Sequence, residues 1–193
     1  MFEKDAEPVR SVPAQRTRRL SARTVYSGRV FNVIRERWRF GDLPPVDREV
    51  IRHPGSVVIV PVLDRDRLVL IRQFRVTIRR RLWELPAGTR GAGESLRRCA
   101  TRELVEETGY RARRMRLIAR FLPSPGFCAE TMYLFVAWHL IAGKRHPADD
   151  DPISTHVVPF KKVAAMIQRG LVLDAKTIIG VTLVFPLRGR LFV

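Results

Sequence analysis

The chain has 193 residues, 46% of them hydrophobic, and a formal net charge of +17. That length and apolar content suit one ordinary domain with a real core and exclude global disorder. No apolar run approaches the ~20 residues that span a bilayer, and the opening MFEKDAEPVRSVPAQ has no apolar stretch, so neither a membrane segment nor a signal peptide is expected.

Two cysteines, Cys99 and Cys128, make no disulfide framework, and a cytoplasmic setting is expected. The basic excess is 31 Arg against 5 Lys. Such a surplus attracts phosphates, although a solvated basic surface has the same composition. Residues 1–23 carry Arg10, Arg16, Arg18, Arg19 and Arg23 and read as a flexible basic tail open to weak, nonspecific nucleic-acid binding.

A strand pattern begins at Thr24. Val30, Ile34, Trp38 and Phe40 share one parity before the turn Gly41–Pro45, and a further strand runs from about Arg48 to Arg52. Residues 24–53 therefore form a small N-terminal β extension, and 54–193 the main domain. SVVIVPVL and RLVLIRQF are continuous apolar runs, as in strands covered on both faces. After a loop through WELPAG comes a helix from Ser95 to Thr108, with Leu96, Ala100 and Leu104 as its buried stripe and Gly109 as its stop. Strands follow near 114–122 and 131–139, then a polar loop with Asp149, Asp150 and Asp151. A strand at His156–Pro159 and helices near 160–169 and 174–184 close the chain. The irregular mixture predicts an α+β fold with a mixed sheet between helices.

The acids concentrate on the first helix. Glu103, Glu106 and Glu107 lie three and four residues apart and share a face. Like charges at that spacing repel, and a hard divalent cation resolves the conflict while leaving positions for water and substrate phosphates. Arg102 is placed to hold a glutamate. Taken alone, the helix could equally be a solvated Glu/Arg-rich surface.

The helix is not alone. Gly88, Glu94 and the run Arg102-Glu103-Leu104-Val105-Glu106-Glu107-Thr108-Gly109-Tyr110 meet every specified position of the Nudix box. The chain thus resembles the Nudix hydrolases. The resemblance implies an α/β/α sandwich with a mixed sheet and a loop–helix–loop that binds Mg²⁺ or Mn²⁺ and cleaves a diphosphate linked to another moiety. It implies Glu103, Glu107, Glu106 and the Ala87 carbonyl as metal ligands. Glu106 and Arg102 would also assist catalysis, and Gly88, Glu94 and Gly109 shape the motif.

The flanks REVIRHPGSVVIVPV, LVLIRQFR and LWELPAG, with the closing GLVLDAKTIIGVTLVF, resemble the ADP-ribose pyrophosphatase group over roughly residues 26–186. So does Ser124-Pro125-Gly126-Phe127-Cys128-Ala129-Glu130, with Pro125 sixteen residues past Gly109. In that group an acidic residue of this loop serves as general base or ligand, and Glu130 is the matching position. Arg75 matches a phosphate contact and Glu84 a substrate contact. Arg48, Glu49 and Arg52 fall in a strand that helps bind the nucleotide, and Phe31 and Trp38 are candidate base platforms. A homodimer is implied. The expected reaction is hydrolysis of ADP-ribose or a related nucleoside diphosphate sugar. The alternatives are GDP-mannose hydrolysis, RNA 5′-pyrophosphate removal, or a non-catalytic nucleotide-sensing or nucleic-acid-binding module.

Overall fold

The computed structural model describes residues 17–143 and 153–192; the start of the basic tail and the loop with Asp149–Asp151 lie outside the described residues. The chain divides into two units. One is Met1–His53 with Ser124–Ala129, and the other is Pro54–Pro123 with Glu130–Val193.

The N-terminal unit is an antiparallel sheet of β1 (Thr17–Ser27), β2 (Asn32–Phe40) and β3 (Val46–Arg52), in that order. Strand β1 starts seven residues before the expected Thr24, taking in Thr17–Arg23. Its residues are mostly exposed, and an exposed edge strand carries charge and polarity that imitate a tail. Ser124–Ala129 joins β3 through Ile51 N–H to Phe127 O (2.8 Å) and Ala129 N–H to Ile51 O (2.9 Å).

The second unit holds β4 (Ser56–Pro61), β5 (Arg67–Arg75), β6 (Arg80–Glu84), β7 (Ala87–Thr89), helix α1 (Leu96–Thr108), β8 (Tyr110–Phe121), β9 (Met132–Ala142), β10 (Ser154–Pro159), α2 (Phe160–Gln168) and α3 (Ala175–Val184). A short 3₁₀ turn at Arg188–Phe192 follows. One sheet has the order β10-β5-β6. The other is β7-β4-β9-β8, and its β4–β9 pair is parallel, so it is mixed. Strands β6 and β7 were not expected. Arginines and the Pro86 break hide them, and β7 is only three residues long.

Every residue of β4 is buried because both of its faces are covered. Val58 and Val60 pack with Leu134, Val181 and Val184, whereas Val57 and Ile59 pack with Cys99, Ala100 and Leu104. Alternate β4 side chains thus serve α3 on one side and α1 on the other, as the predicted α/β/α layering requires. Helix α1 is capped by Ser95, whose Oγ accepts from Arg98 N–H, and it stops at Gly109, whose φ of 77° is left-handed.

Candidate active site

Strand β7 closes directly on helix α1. A Cβ placed on Gly88 would lie 2.0 Å from the Glu103 carboxyl, so only glycine lets the loop approach that acid. One residue earlier, Ala87 N–H donates to Glu107 Oε2 at 2.9 Å. Arg102 ties the rest together. Its Nη1 donates to Glu103 Oε1 (2.6 Å) and Glu106 Oε2 (2.9 Å), and its Nε and Nη2 grip both oxygens of Glu94 (3.0 and 3.1 Å). Glu94 Oε2 also accepts from Gly91 N–H at 3.0 Å. One guanidinium therefore orients three carboxylates. Glu103 shares a helix face with Glu106 and Glu107. It is buried, because the Gly88 turn rather than solvent lies against it.

The electrostatics separate these acids. The Arg102 guanidinium, aided by Gly91 N–H against some burial, holds Glu94 down at about 2. Burial, followed by the charge of Glu103, pushes Glu107 up to about 8. Burial also raises the Glu103 carboxyl even with Arg102 beside it. Two carboxylates whose charges are penalised, set in a glycine-lined cradle, fit a hard divalent cation that would relieve both. Among the described residues no group of three or more His, Cys, Asp or Glu side chains is placed to hold a metal ion. The arrangement suits a cation held by few carboxylates, with positions left for water and phosphate oxygens. Cys99 is no nucleophile, since burial, then Glu94 and Glu103, push its thiol up to about 12.

Beside the loop lies a buried polar chain that sequence reading did not assemble. Glu84 has no exposed surface. It accepts from Arg75 Nε (2.8 Å) and Nη2 (2.6 Å) and from Lys176 Nζ (2.5 Å). Lys176 also donates to Asp174 Oδ1 at 2.8 Å. Asp174 caps α3, accepting from Thr177 N–H (3.0 Å) and Oγ1 (2.5 Å), and Thr177 Oγ1 accepts from Leu85 N–H at 2.7 Å. Burial disfavours the Glu84 charge, but Arg75 and Lys176 outweigh it and hold the carboxyl below its ordinary value. Glu84 was expected to touch substrate. In this structure it is fully buried and engaged by Arg75 and Lys176, and the Arg75 side chain beside it is 38% exposed. The charges of Arg75 and Lys176 both act on Glu107. The sequence signal for this network was DAKT, an aspartate N-cap with a threonine three residues on.

Glu130 Oε1 accepts from Ser56 Oγ at 2.6 Å. Ser56 opens β4, opposite Thr89 of β7 on one side and Met132 of β9 on the other. Glu130 is thereby tied to the strand that borders the Gly88 loop.

The remaining candidates belong to the N-terminal unit. Arg48 donates to its neighbour's carbonyl at Asp47, and Glu49 pairs with Arg35 at 3.0 Å; both contacts are exposed. Arg52 and Trp38 both donate to Glu36. Trp38 stacks on Phe40, and Phe31 lies 6.1 Å from Tyr26, ring centre to ring centre. Glu36 was missed, since a single glutamate in RERWR carries no local sign of burial.

The model of the NUDIX domain family matches residues 52–177. Over 155 residues the chain is 33% identical to an ADP-ribose pyrophosphatase of Bacillus subtilis (strain 168), covering 79% of this chain and 84% of that one. It is 31% identical over 160 residues to a methanol dehydrogenase activator of Bacillus methanolicus, covering 81% and 86%. The crystal structure of an ADP compounds hydrolase superposes with a TM-score of 0.80 at 24% identity, covering 91% of this chain and 96% of that chain, which is a likeness of fold. With the Gly88–Tyr110 motif folded around its carboxylates inside the matched span, this chain belongs to the NUDIX domain family.

Proposed function

We propose that the protein is a divalent-metal-dependent hydrolase that cleaves the diphosphate linkage of ADP-ribose or a related nucleoside diphosphate sugar. The products are a nucleoside monophosphate and a sugar phosphate, AMP and ribose 5-phosphate in the first case. The carrying observation is the closure of Gly88 and Ala87 on Glu103 and Glu107, with the Arg75 charge acting on Glu107. The similarity to the Bacillus subtilis ADP-ribose pyrophosphatase supports the substrate class.

Glu103, Glu107 and Glu106 with the Ala87 carbonyl would hold the cation, and the all-oxygen donor set favours Mg²⁺ or Mn²⁺. When bound, the cation neutralises diphosphate charge and makes a water acidic enough to attack at neutral pH. Arg102 keeps the carboxylates apart and aimed. Arg75, gripped side-on by Glu84 through Nε and Nη2, retains Nη1 for a phosphate oxygen. Glu130, held by Ser56, takes the proton of the attacking water. Arg48, Glu49, Arg52, Phe31 and Trp38 extend binding along the N-terminal unit, which also serves dimerisation. A cytoplasmic homodimer completes the reading.

Glu107→Gln tests it. The amide keeps the shape and an acceptor for Ala87 N–H but loses the charge. Turnover at saturating Mg²⁺ should fall about 100-fold or more, ~2.7 kcal/mol in the barrier, with the thermal midpoint little changed. An undiminished rate in a folded variant would refute the metal assignment.

A further inference from the structure

Lysine is an unfavourable residue at the start of a helix. Lys176 is the second residue of α3, where the backbone presents its unpaired N–H groups and repels a cation. It is also only 8% exposed, and burial penalises an ammonium further. An apolar side chain would serve both the helix and the packing better. Its Nζ is held by two carboxylates instead, Glu84 Oε2 at 2.5 Å and Asp174 Oδ1 at 2.8 Å. Arg75, Glu84, Lys176 and Asp174 thus form a line of alternating charge that runs from the Arg75 guanidinium to the cap of α3.

The register of β5 and β6 gives this line a purpose. Arg75 pairs with Arg80, whereas Glu84 pairs with Ile71, four residues farther back along β5. Four residues of strand span about 13 Å. Arg75 therefore reaches Glu84 only by lying back along the strand, across the position of Gln73, which shares its face. Gln73 does not anchor it, because the buried Gln73 amide oxygen has no hydrogen-bond partner. Among the described residues Glu84 is the one carboxylate that bonds Arg75.

The rotation of the Glu84 carboxylate is in turn set from α3. Its Oε1 receives Arg75 Nε, and its Oε2 receives both Arg75 Nη2 and Lys176 Nζ. With Oε2 drawn to Lys176, the carboxylate grips the guanidinium by its Nε–Nη2 edge and leaves Nη1 out of the pair. A carboxylate without that tether can turn and take the guanidinium end-on, through Nη1 and Nη2, which consumes the nitrogen reserved for phosphate. The backbone beside Glu84 is fixed from the same helical turn, since Leu85 N–H donates to Thr177 Oγ1 at 2.7 Å.

Resting on the hydrolytic reading above, we propose that Lys176 is a positioning residue of the phosphate clamp. It touches neither substrate nor cation. It fixes the Glu84 carboxylate and, through it, holds Arg75 with one nitrogen open to the diphosphate.

A double-mutant cycle between Lys176→Met and Glu84→Gln tests this on the full-length protein. The double variant removes one charge of each sign and leaves no carboxylate buried alone. The probe is an ADP-ribose analogue with a methylene group between its phosphorus atoms, which resists hydrolysis, titrated calorimetrically with Mg²⁺ present. Each single variant should bind about tenfold more weakly than the parent, and the double variant no more weakly than Glu84→Gln alone, because Lys176 acts only through Glu84. Arg75→Met, which removes the whole clamp, should lose at least as much. If Lys176→Met does not fold, the comparison of the double variant with Glu84→Gln decides alone. The role of Lys176 is overturned if Lys176→Met binds like the parent. It is also overturned if the double variant loses the product of the two single losses, as independent structural damage would. A folded wild-type protein that does not bind the analogue overturns the hydrolytic reading, and the clamp with it.

Discussion

Single carboxylates divide the labour of the site by their surroundings. Glu94 is an ion-pair anchor whose carboxyl lies at about 2, against an ordinary value of 4.5. A carboxyl that is more acidic when folded stabilises the protein above its unfolded value and loses that contribution as the pH falls through the folded one. Glu94→Gln should therefore cost stability at neutral pH, and the gap from the parent should close between about pH 5 and pH 2. Chemical denaturation at a series of pH values reads this, and a pH-independent gap would contradict it. The proposed task of Glu130 is different, and one of its oxygens is held by the Ser56 hydroxyl. Glu130→Gln should lower kcat by about 10²–10⁴ while KM stays within a few fold, since the proton moves only in the transition state. Steady-state kinetics with both constants near the parent values would remove Glu130 from the mechanism. The box acids were legible because their spacing puts like charges on one helix turn. Ser56, Glu36 and Lys176 were not, since each gains its meaning from a partner at least sixteen residues away.

At the scale of elements, the N-terminus of α3 clamps Leu85, between β6 and the Gly88 turn. Thr177 is fully buried, and its Oγ1 is the acceptor for Leu85 N–H. Thr177→Val keeps the volume and strands that donor in the core. The expected cost is about 1–3 kcal/mol, read from denaturant midpoints, with a rise in KM if Glu84 and Arg75 loosen with the strand. A variant as stable as the parent would mean that the clamp carries little. Continuous apolar runs made β4 and β5 readable, and capping residues bounded α1, with Ser95 and Gly109 where helix ends demand them. Strand β1 was partly lost because TRRLSAR satisfies its backbone on one side only and leaves its side chains in solvent. Strand β6 failed for a similar reason. It is an edge strand whose arginines resemble a loop.

Over the whole molecule, a chain of net charge +17 gathers a small cluster of acids on α1 and its preceding loop. This is the balance needed to gather a cation at one point and diphosphates around it. Charge alone does not say which phosphate compound is cleaved; that rests on the motif and on the relatives it shares. The claim that joins all three scales is that the carboxylates of α1 and the Arg75 clamp hydrolyse a nucleoside diphosphate sugar. The most direct measurement is product analysis after incubation with ADP-ribose, with GDP-mannose in parallel, each with Mg²⁺ and with EDTA. The account predicts AMP and ribose 5-phosphate, or GMP and mannose 1-phosphate, in the Mg²⁺ samples and no turnover in EDTA. Equal turnover in EDTA, or no cleavage of any nucleoside diphosphate sugar by folded, metal-loaded protein, would contradict it.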